Sequence, residues 1–179
     1  AAFEDHIVNW LVDHGGYRRV KVGNVGAEPR DFDAVAGVDT ADLFEFIGAT
    51  QGEAWGRLID AGYGGDADAA QAGFVQRLAS QLDNRGTVDV LRRGVVDRNV
   101  TIKLAFFKPA HDLTPELAAR YEANVLTVTR QLPFEAGSGQ TIDLALTVNG
   151  IPVATAELKN PLTGQTVEDA IAQYRKDRD

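Results

Sequence analysis

The sequence contains no cysteine and no methionine among its 179 residues. Without cysteine, the chain can form neither a disulfide nor a zinc site built from thiolates. The absence of cysteine also fits a cytoplasmic location, which we expect, because disulfides persist in oxidising compartments. Since the chain lacks methionine and begins at Ala1, we expect it to be a fragment of a larger gene product.

Long apolar runs and positive charge are scarce as well. No stretch approaches the roughly 20 apolar residues that a membrane-spanning helix requires, and no secretory signal opens the chain, so we expect no membrane association. The net charge of −8 argues against a free-standing, non-specific DNA-binding protein, which is usually basic. It leaves open DNA contact through a local basic patch.

The residues that are present predict one α/β (α+β) domain with a single mixed β-sheet flanked by helices. The apolar spacing predicts helices first and strands later, with further helices starting at Thr114 and Thr166. An acidic loop is expected over residues 31–38. The early helices are predicted over residues 3–14, 42–47, 53–61 and 69–82. The strands are predicted over residues 17–22, 100–107, 124–132, 142–148 and 151–158.

Asn149-Gly150 separates the last two predicted strands and is a strong hairpin signal. In a plain two-residue turn, Asp143 would face Ala156, and the side chains of Asp143 and Glu157 would point to opposite sides of the sheet. One extra residue, in a three-residue loop or in a β-bulge elsewhere in the hairpin, would put both side chains on one side. We predict that the hairpin contains such an extra residue.

Asp143, Glu157 and Lys159 are charged residues near the end of an otherwise apolar hairpin. Mg²⁺ takes one or two protein carboxylates, so Asp143, Glu157 and the backbone carbonyl of Leu158 are the predicted metal ligands. Lys159 is predicted to orient the attacking water or to offset charge in the transition state. On spacing alone, a surface ion pair between Glu157 and Lys159, with Asp143 capping a turn, is equally well supported.

Asp143 followed by Glu157-Leu158-Lys159 resembles the PD-(D/E)xK nuclease motif. Longer stretches resemble the N-terminal domain of the type I restriction R (HsdR) subunit, above all NVLTVTRQL (124–132), TIDLALTVNGIPVATAELKNP (141–161) and LTGQTVEDAIAQYRKDRD (162–179). The resemblance covers most of the chain and implies that residues 1–179 form a single N-terminal nuclease domain with a restriction-endonuclease-like core. It also implies Mg²⁺-dependent cleavage of double-stranded DNA, with methyltransferase (M) and specificity (S) subunits as partners.

The resemblance assigns roles to further residues. Gln173 matches the glutamine of the family's Gln-x-x-x-Tyr motif, although Asp177 occupies the position of the tyrosine. Glu4 resembles an acidic residue that many nucleases of this fold bring to the metal; an ordinary acid in the first turn of a helix is the alternative. The family's motor uses ATP, but no phosphate-binding Gly-x-x-x-x-Gly-Lys motif occurs here, so ATP binding is expected only in the complete subunit.

Basic residues are candidates for contacts with DNA phosphates. The predicted contacts are Arg92, Arg93, Arg130, Arg175 and Lys176. Arg130 and the adjacent Gln131 end a strand that could approach the same site. For each of these residues, the alternative is a solvated surface that balances the 26 acidic residues. A free-standing nuclease of the same fold and a non-catalytic module that docks a DNA motor or methyltransferase remain competing hypotheses.

Overall fold

The computed structural model describes residues 2–20, 31–110, 114–133, 140–158 and 171. Five α-helices occur in these ranges: α1 (Ala2–His14), α2 (Thr40–Arg57), α3 (Ala67–Arg85), α4 (Thr87–Arg93) and α5 (Pro115–Glu122). A π-helical turn, Leu58–Gly62, follows α2. The strands are β1 (Arg18–Arg19), β2 (Phe32–Asp33), β3 (Val38–Asp39), β4 (Val95–Asp97), β5 (Val100–Ile102), β6 (Leu126–Pro133), β7 (Thr141–Val148) and β8 (Ile151–Ala156).

Four strands form the principal sheet, in the order β1-β6-β7-β8. β1 runs parallel to β6, whereas β6, β7 and β8 are antiparallel to their neighbours, so the sheet is mixed. β2 pairs with β3, and β4 pairs with β5, in two small separate hairpins. This mixed sheet with its flanking helices confirms the predicted fold class and is consistent with a restriction-endonuclease-like fold.

The apolar side chains gather into two cores. The larger core fills what we call the helical layer, which consists of α2, α3, α4 and the β4–β5 hairpin; Phe46, Phe74 and Leu78 are fully buried there. The smaller core lies between α1 and one face of the four-stranded sheet, where Val8 packs against Val128 and Leu144. Because side chains alternate along β7, its residues next to Leu144 point to the opposite face.

The turn between β7 and β8 joins the sheet to the helical layer. Asn149 is fully buried with a φ of 52°, and its side chain accepts from the Val125 N–H (2.7 Å) and donates to the Leu104 carbonyl (2.8 Å). Gly150 has a φ of 79°, and a Cβ there would lie 2.1 Å from the Asp39 carbonyl oxygen. Only glycine therefore fits, and the hairpin is fixed against the start of α2.

The helices predicted over residues 42–47 and 53–61 correspond to two helical segments within α2, the second of which continues into the π-helical turn. The non-helical φ of −145° at Gln51 marks a kink between the two predicted segments. The Gln51 side chain donates to the Lys103 carbonyl (2.8 Å) and accepts from the Lys103 N–H (2.7 Å). This long-range pairing holds Gln51 at the kink between the two helical segments.

The strand predicted over residues 100–107 is much shorter, because β5 ends at Ile102. Beyond it, the backbone is satisfied by side-chain amides instead of a neighbouring strand: Asn124 accepts from the Phe106 N–H (3.2 Å) and donates to the Phe106 carbonyl (2.6 Å). The short helix α4 was not expected. The predictions for α1, α3 and α5 are confirmed to within a few residues.

The helix predicted to start at Thr166 lies almost entirely outside the described residues, which include only Ile171 of it. Among the helices of the described ranges, none combines the length and the apolar character needed to cross a membrane.

Candidate functional site

The β7–β8 hairpin contains one extra residue on β8. Next to the turn, Val148 pairs with Ile151, but towards the open end Leu144 pairs with Ala156. The register shifts because Val153 has no opposite residue on β7, which makes it a β-bulge. The hairpin therefore combines a two-residue turn with the bulge that we predicted as one of two ways to bring the two carboxylates to one face.

The bulge determines which residues of the two strands face each other at the open end. Continued by one residue beyond the Leu144–Ala156 pair, the register sets Asp143 opposite Glu157, with both side chains on the face of the sheet away from α1. In a hairpin without the bulge, Asp143 would face Ala156. Both acidic side chains are half-buried.

Hydrogen bonds fix the orientation of the Asp143 carboxylate. Oδ2 accepts from the Leu158 N–H at 2.7 Å, and Oδ1 accepts from the Gln131 side-chain amide at 3.0 Å. The Gln131 amide oxygen in turn accepts from the Thr141 hydroxyl at 2.8 Å. A carboxylate offers about four lone-pair directions, so Asp143 keeps acceptor capacity for a cation.

The donor set fits a hard divalent cation. The Asp143 and Glu157 carboxylates and the Leu158 backbone carbonyl are all oxygen ligands, which Mg²⁺ prefers. Within the described ranges, no three or more His, Cys, Asp or Glu side chains form a group that could hold a metal. A metal site here would therefore rest on two carboxylates, which is the number that Mg²⁺ commonly takes from a protein.

Glu4 and Arg130, a predicted metal ligand and a predicted DNA contact, bind each other. The Arg130 guanidinium forms ion pairs with Glu4 and Asp5 at the start of α1. Arg130 precedes Gln131 on β6 and points to the α1 side of the sheet, whereas Gln131 binds Asp143. The metal role of Glu4 and the DNA role of Arg130 stay predictions.

The other predicted DNA contacts in the described part of the chain lie at the end of α4. Arg92 and Arg93 are exposed; Arg93 forms an ion pair with Asp89 at 2.9 Å, and its carbonyl accepts from the Lys103 ammonium at 3.4 Å. These residues form an exposed basic end of α4. Four predicted site residues lie outside the described residues: Lys159, Gln173, Arg175 and Lys176.

The structure also contains a cleft that the sequence did not indicate. It has a volume of about 440 Å³ and is lined by Arg18, Arg19, Asp39, Asp42, Glu45 and Thr127. The Asp42 side chain is only 8% exposed, and its Oδ2 atom lacks a hydrogen-bond partner in the described structure. Burial raises the pKa of the Asp42 carboxyl, and the nearby negative charge of Asp39 raises it further. An acid in the first turn of a helix gives no hint of such burial.

Comparisons with known proteins place the chain in a family. The family model for the type I restriction enzyme R protein N terminus matches residues 56–179, more than two thirds of the chain. No curated protein and no solved structure matches the chain. The matched range includes the hairpin with Asp143 and Glu157. This chain therefore belongs to the type I restriction enzyme R protein N-terminal family.

Proposed function

We propose that this chain is the Mg²⁺-dependent endonuclease domain of a type I restriction enzyme R subunit and that it hydrolyses phosphodiester bonds of double-stranded DNA. The observation that carries the proposal is the bulge at Val153, because the register that it produces, continued by one residue beyond the Leu144–Ala156 pair, would set Asp143 opposite Glu157. A hairpin with no functional site at its open end has no need to collect two carboxylates on one face, where they repel each other. Membership of the R protein family supports the same function.

Asp143, Glu157 and the carbonyl of Leu158 are the groups that would hold the metal. When bound, Mg²⁺ polarises the phosphate and lowers the pKa of a coordinated water. The Leu158 N–H and the Gln131 amide hold the Asp143 carboxylate in one orientation before any ligand arrives. Such preorganisation favours binding and catalysis, because the ligand group does not have to reorient.

Lys159 completes the proposed catalytic trio. It comes directly after Leu158, and its spacing from Glu157 matches that of the PD-(D/E)xK motif. Its ammonium group would orient the attacking water or offset the negative charge that develops on the phosphate. Gln173 is the fourth residue that we propose near the reacting phosphate.

Phosphate contacts away from the site would come from basic side chains. The exposed Arg92 and Arg93 at the end of α4 are suited to neutralise DNA phosphates, which bind strongly to arginine. With a net charge of −8, we expect the chain to have little affinity of its own for DNA. We therefore propose that the M and S subunits supply most of the DNA binding, and that ATP acts only on the rest of the R subunit.

The test is cleavage of double-stranded DNA by the complete R–M–S complex carrying Asp143→Asn. We expect cleavage to be lost, because the substitution removes a charged metal ligand, while ATP hydrolysis by the complex persists. Asp83→Asn is the matched control, since Asp83 is an exposed aspartate on α3, and it should leave both activities unchanged. Cleavage at the wild-type rate by the Asp143→Asn complex would refute the assignment.

A further inference from the structure

Gln131 has an unusual backbone conformation for a residue inside a strand. Its φ is +51°, in the left-handed region that residues with a side chain adopt at a cost. The pairing of β6 with β7 is in register on both sides of it, with Arg130 opposite Leu144 and Leu132 opposite Ile142. The conformation therefore does not result from a slip in register, and strain of this kind occurs most often at functional sites.

The side chain of Gln131 bridges two residues of β7. Its Oε1 accepts from the Thr141 hydroxyl at 2.8 Å, and its Nε2 donates to Asp143 Oδ1 at 3.0 Å. A carboxylate only accepts hydrogen bonds, so Asp143 requires the amide nitrogen, which leaves the amide oxygen for Thr141. The two contacts thus agree on a single orientation of the amide group.

We propose that Gln131 is a positioning residue that orients the metal-binding carboxylate of Asp143, an inference that rests on the proposed function. The Leu158 N–H holds Oδ2 and the Gln131 amide holds Oδ1, so the carboxylate plane is fixed from both ends. Each oxygen then keeps acceptor capacity, in a direction that the fixed carboxylate plane determines. Residues that orient a metal ligand in this way typically contribute 10–100-fold to metal affinity.

A purely structural role accounts poorly for Gln131. Its side chain is exposed, so hydrogen bonds with water can replace those with Asp143 and Thr141 at little loss of stability. The left-handed backbone lowers stability for any residue except glycine. Glycine at this position would relieve the strain, whereas only a residue with an amide side chain can bridge Thr141 and Asp143.

The experiment separates the side-chain contact from the backbone strain with two substitutions, Gln131→Ala and Gln131→Gly. Both remove the amide, but only glycine fits a φ of +51° without strain. Mn²⁺ binding to this chain is measured by electron paramagnetic resonance, and stability is measured by urea unfolding. We expect both variants to bind Mn²⁺ about tenfold more weakly than the wild type, while the urea midpoint of the glycine variant is no lower than that of the alanine variant. Gln71→Ala, at an exposed glutamine on α3, is the control and should change neither property.

The outcomes distinguish the inference from the proposed function. If Mn²⁺ affinity follows stability, so that Gln131→Gly binds like the wild type, Gln131 has only a structural role. If Asp143→Asn abolishes binding but both Gln131 variants bind like the wild type, the positioning role is refuted and the metal site stands. If the wild type does not bind Mn²⁺, or if Asp143→Asn binds as tightly as the wild type, the proposed function itself is overturned.

Discussion

The helical layer and the four-stranded sheet bury different kinds of side chain. The core of the helical layer is apolar, with Phe46 and Phe74 fully buried. The face of the sheet away from α1 buries threonine hydroxyls, including those of Thr127 and Thr147, which hydrogen bond to each other, and it ends at half-buried Asp143. Buried polar groups lower stability unless they are satisfied. The helical layer therefore supplies most of the stability, whereas this face of the sheet carries the polar and acidic side chains that we propose for metal binding.

Insertion of one alanine between Ala154 and Thr155 should have the largest effect, because it shifts the register between the bulge and the open end of the hairpin. With the bulge kept at Val153, the inserted residue sets Asp143 opposite Ala156 and turns Glu157 to the other face of the sheet. We expect DNA cleavage by the complete complex to fall by roughly a hundredfold or more, the loss typical of removing a preorganised catalytic group. Plasmid cleavage under single-turnover conditions measures the effect.

Val153→Ala is the matched control for this insertion. It leaves the register unchanged and removes only part of a side chain that is 41% exposed, so cleavage should stay close to the wild-type rate. Wild-type cleavage by the insertion variant would show that cleavage does not depend on the register of the hairpin, and it would contradict a functional role for this face of the sheet.

Phe74→Ala should lower the free energy of unfolding by weakening the helical layer, and it should leave metal binding unchanged. Phe74 is fully buried and packs edge-on against Trp55, with ring centroids 5.6 Å apart. Truncation of a buried phenylalanine costs about 3–5 kcal/mol of unfolding free energy, which urea unfolding measures. At low temperature, where the variant is folded, Mn²⁺ binding should match the wild type. Val88→Ala, at a side chain that is 64% exposed, serves as the control. A loss below about 1 kcal/mol at Phe74, the usual size for an average substitution, would contradict the assignment of stability to this layer.

The smallest effect is expected at Asp42, which lies where the helical layer meets the sheet. The pKa of Asp42 in the folded protein is raised above the ordinary value of 3.8. Protonated Asp42 therefore favours the folded state, and this contribution to the free energy of unfolding is lost as the pH rises through the folded pKa. Asp42→Asn does not titrate. We therefore expect the variant to be more stable than the wild type at pH 7, with the difference shrinking as the pH falls and disappearing below 3.8.

Urea unfolding from pH 3 to pH 7 measures this difference, and Asp83→Asn, at an exposed aspartate on α3, is the control. A stability difference between Asp42→Asn and the wild type that is independent of pH would show that burial does not penalise the Asp42 charge.

Local patterns were sufficient to predict much of the fold and one decisive feature of the site. The apolar spacing of α1, the Thr114-Pro115 start of α5 and the Asn149-Gly150 turn each lie within a few adjacent residues. The bulge followed from strand parity, because two carboxylates with a shared role must lie on one face. The metal role of Asp143 and Glu157 remains a prediction.

Contacts between residues distant in sequence could not be predicted in the same way. The pairing of Gln51 with Lys103 spans 52 residues, and the pairing of Arg130 with Glu4 spans 126. No local pattern encodes such partners, because they depend on how the elements pack. For the same reason, the sequence did not indicate that Asn149 would be buried as the link between the sheet and the helical layer.

The central claim is that Asp143 and Glu157 bind one divalent cation, and a crystal structure of the chain grown with Mn²⁺ tests it most directly. Anomalous scattering locates manganese independently of the protein atoms. We expect a single strong peak within coordination distance of both carboxylates, with the Leu158 carbonyl as a further ligand. A structure with Mn²⁺ bound elsewhere, or with no peak beside these carboxylates at millimolar Mn²⁺, would contradict it.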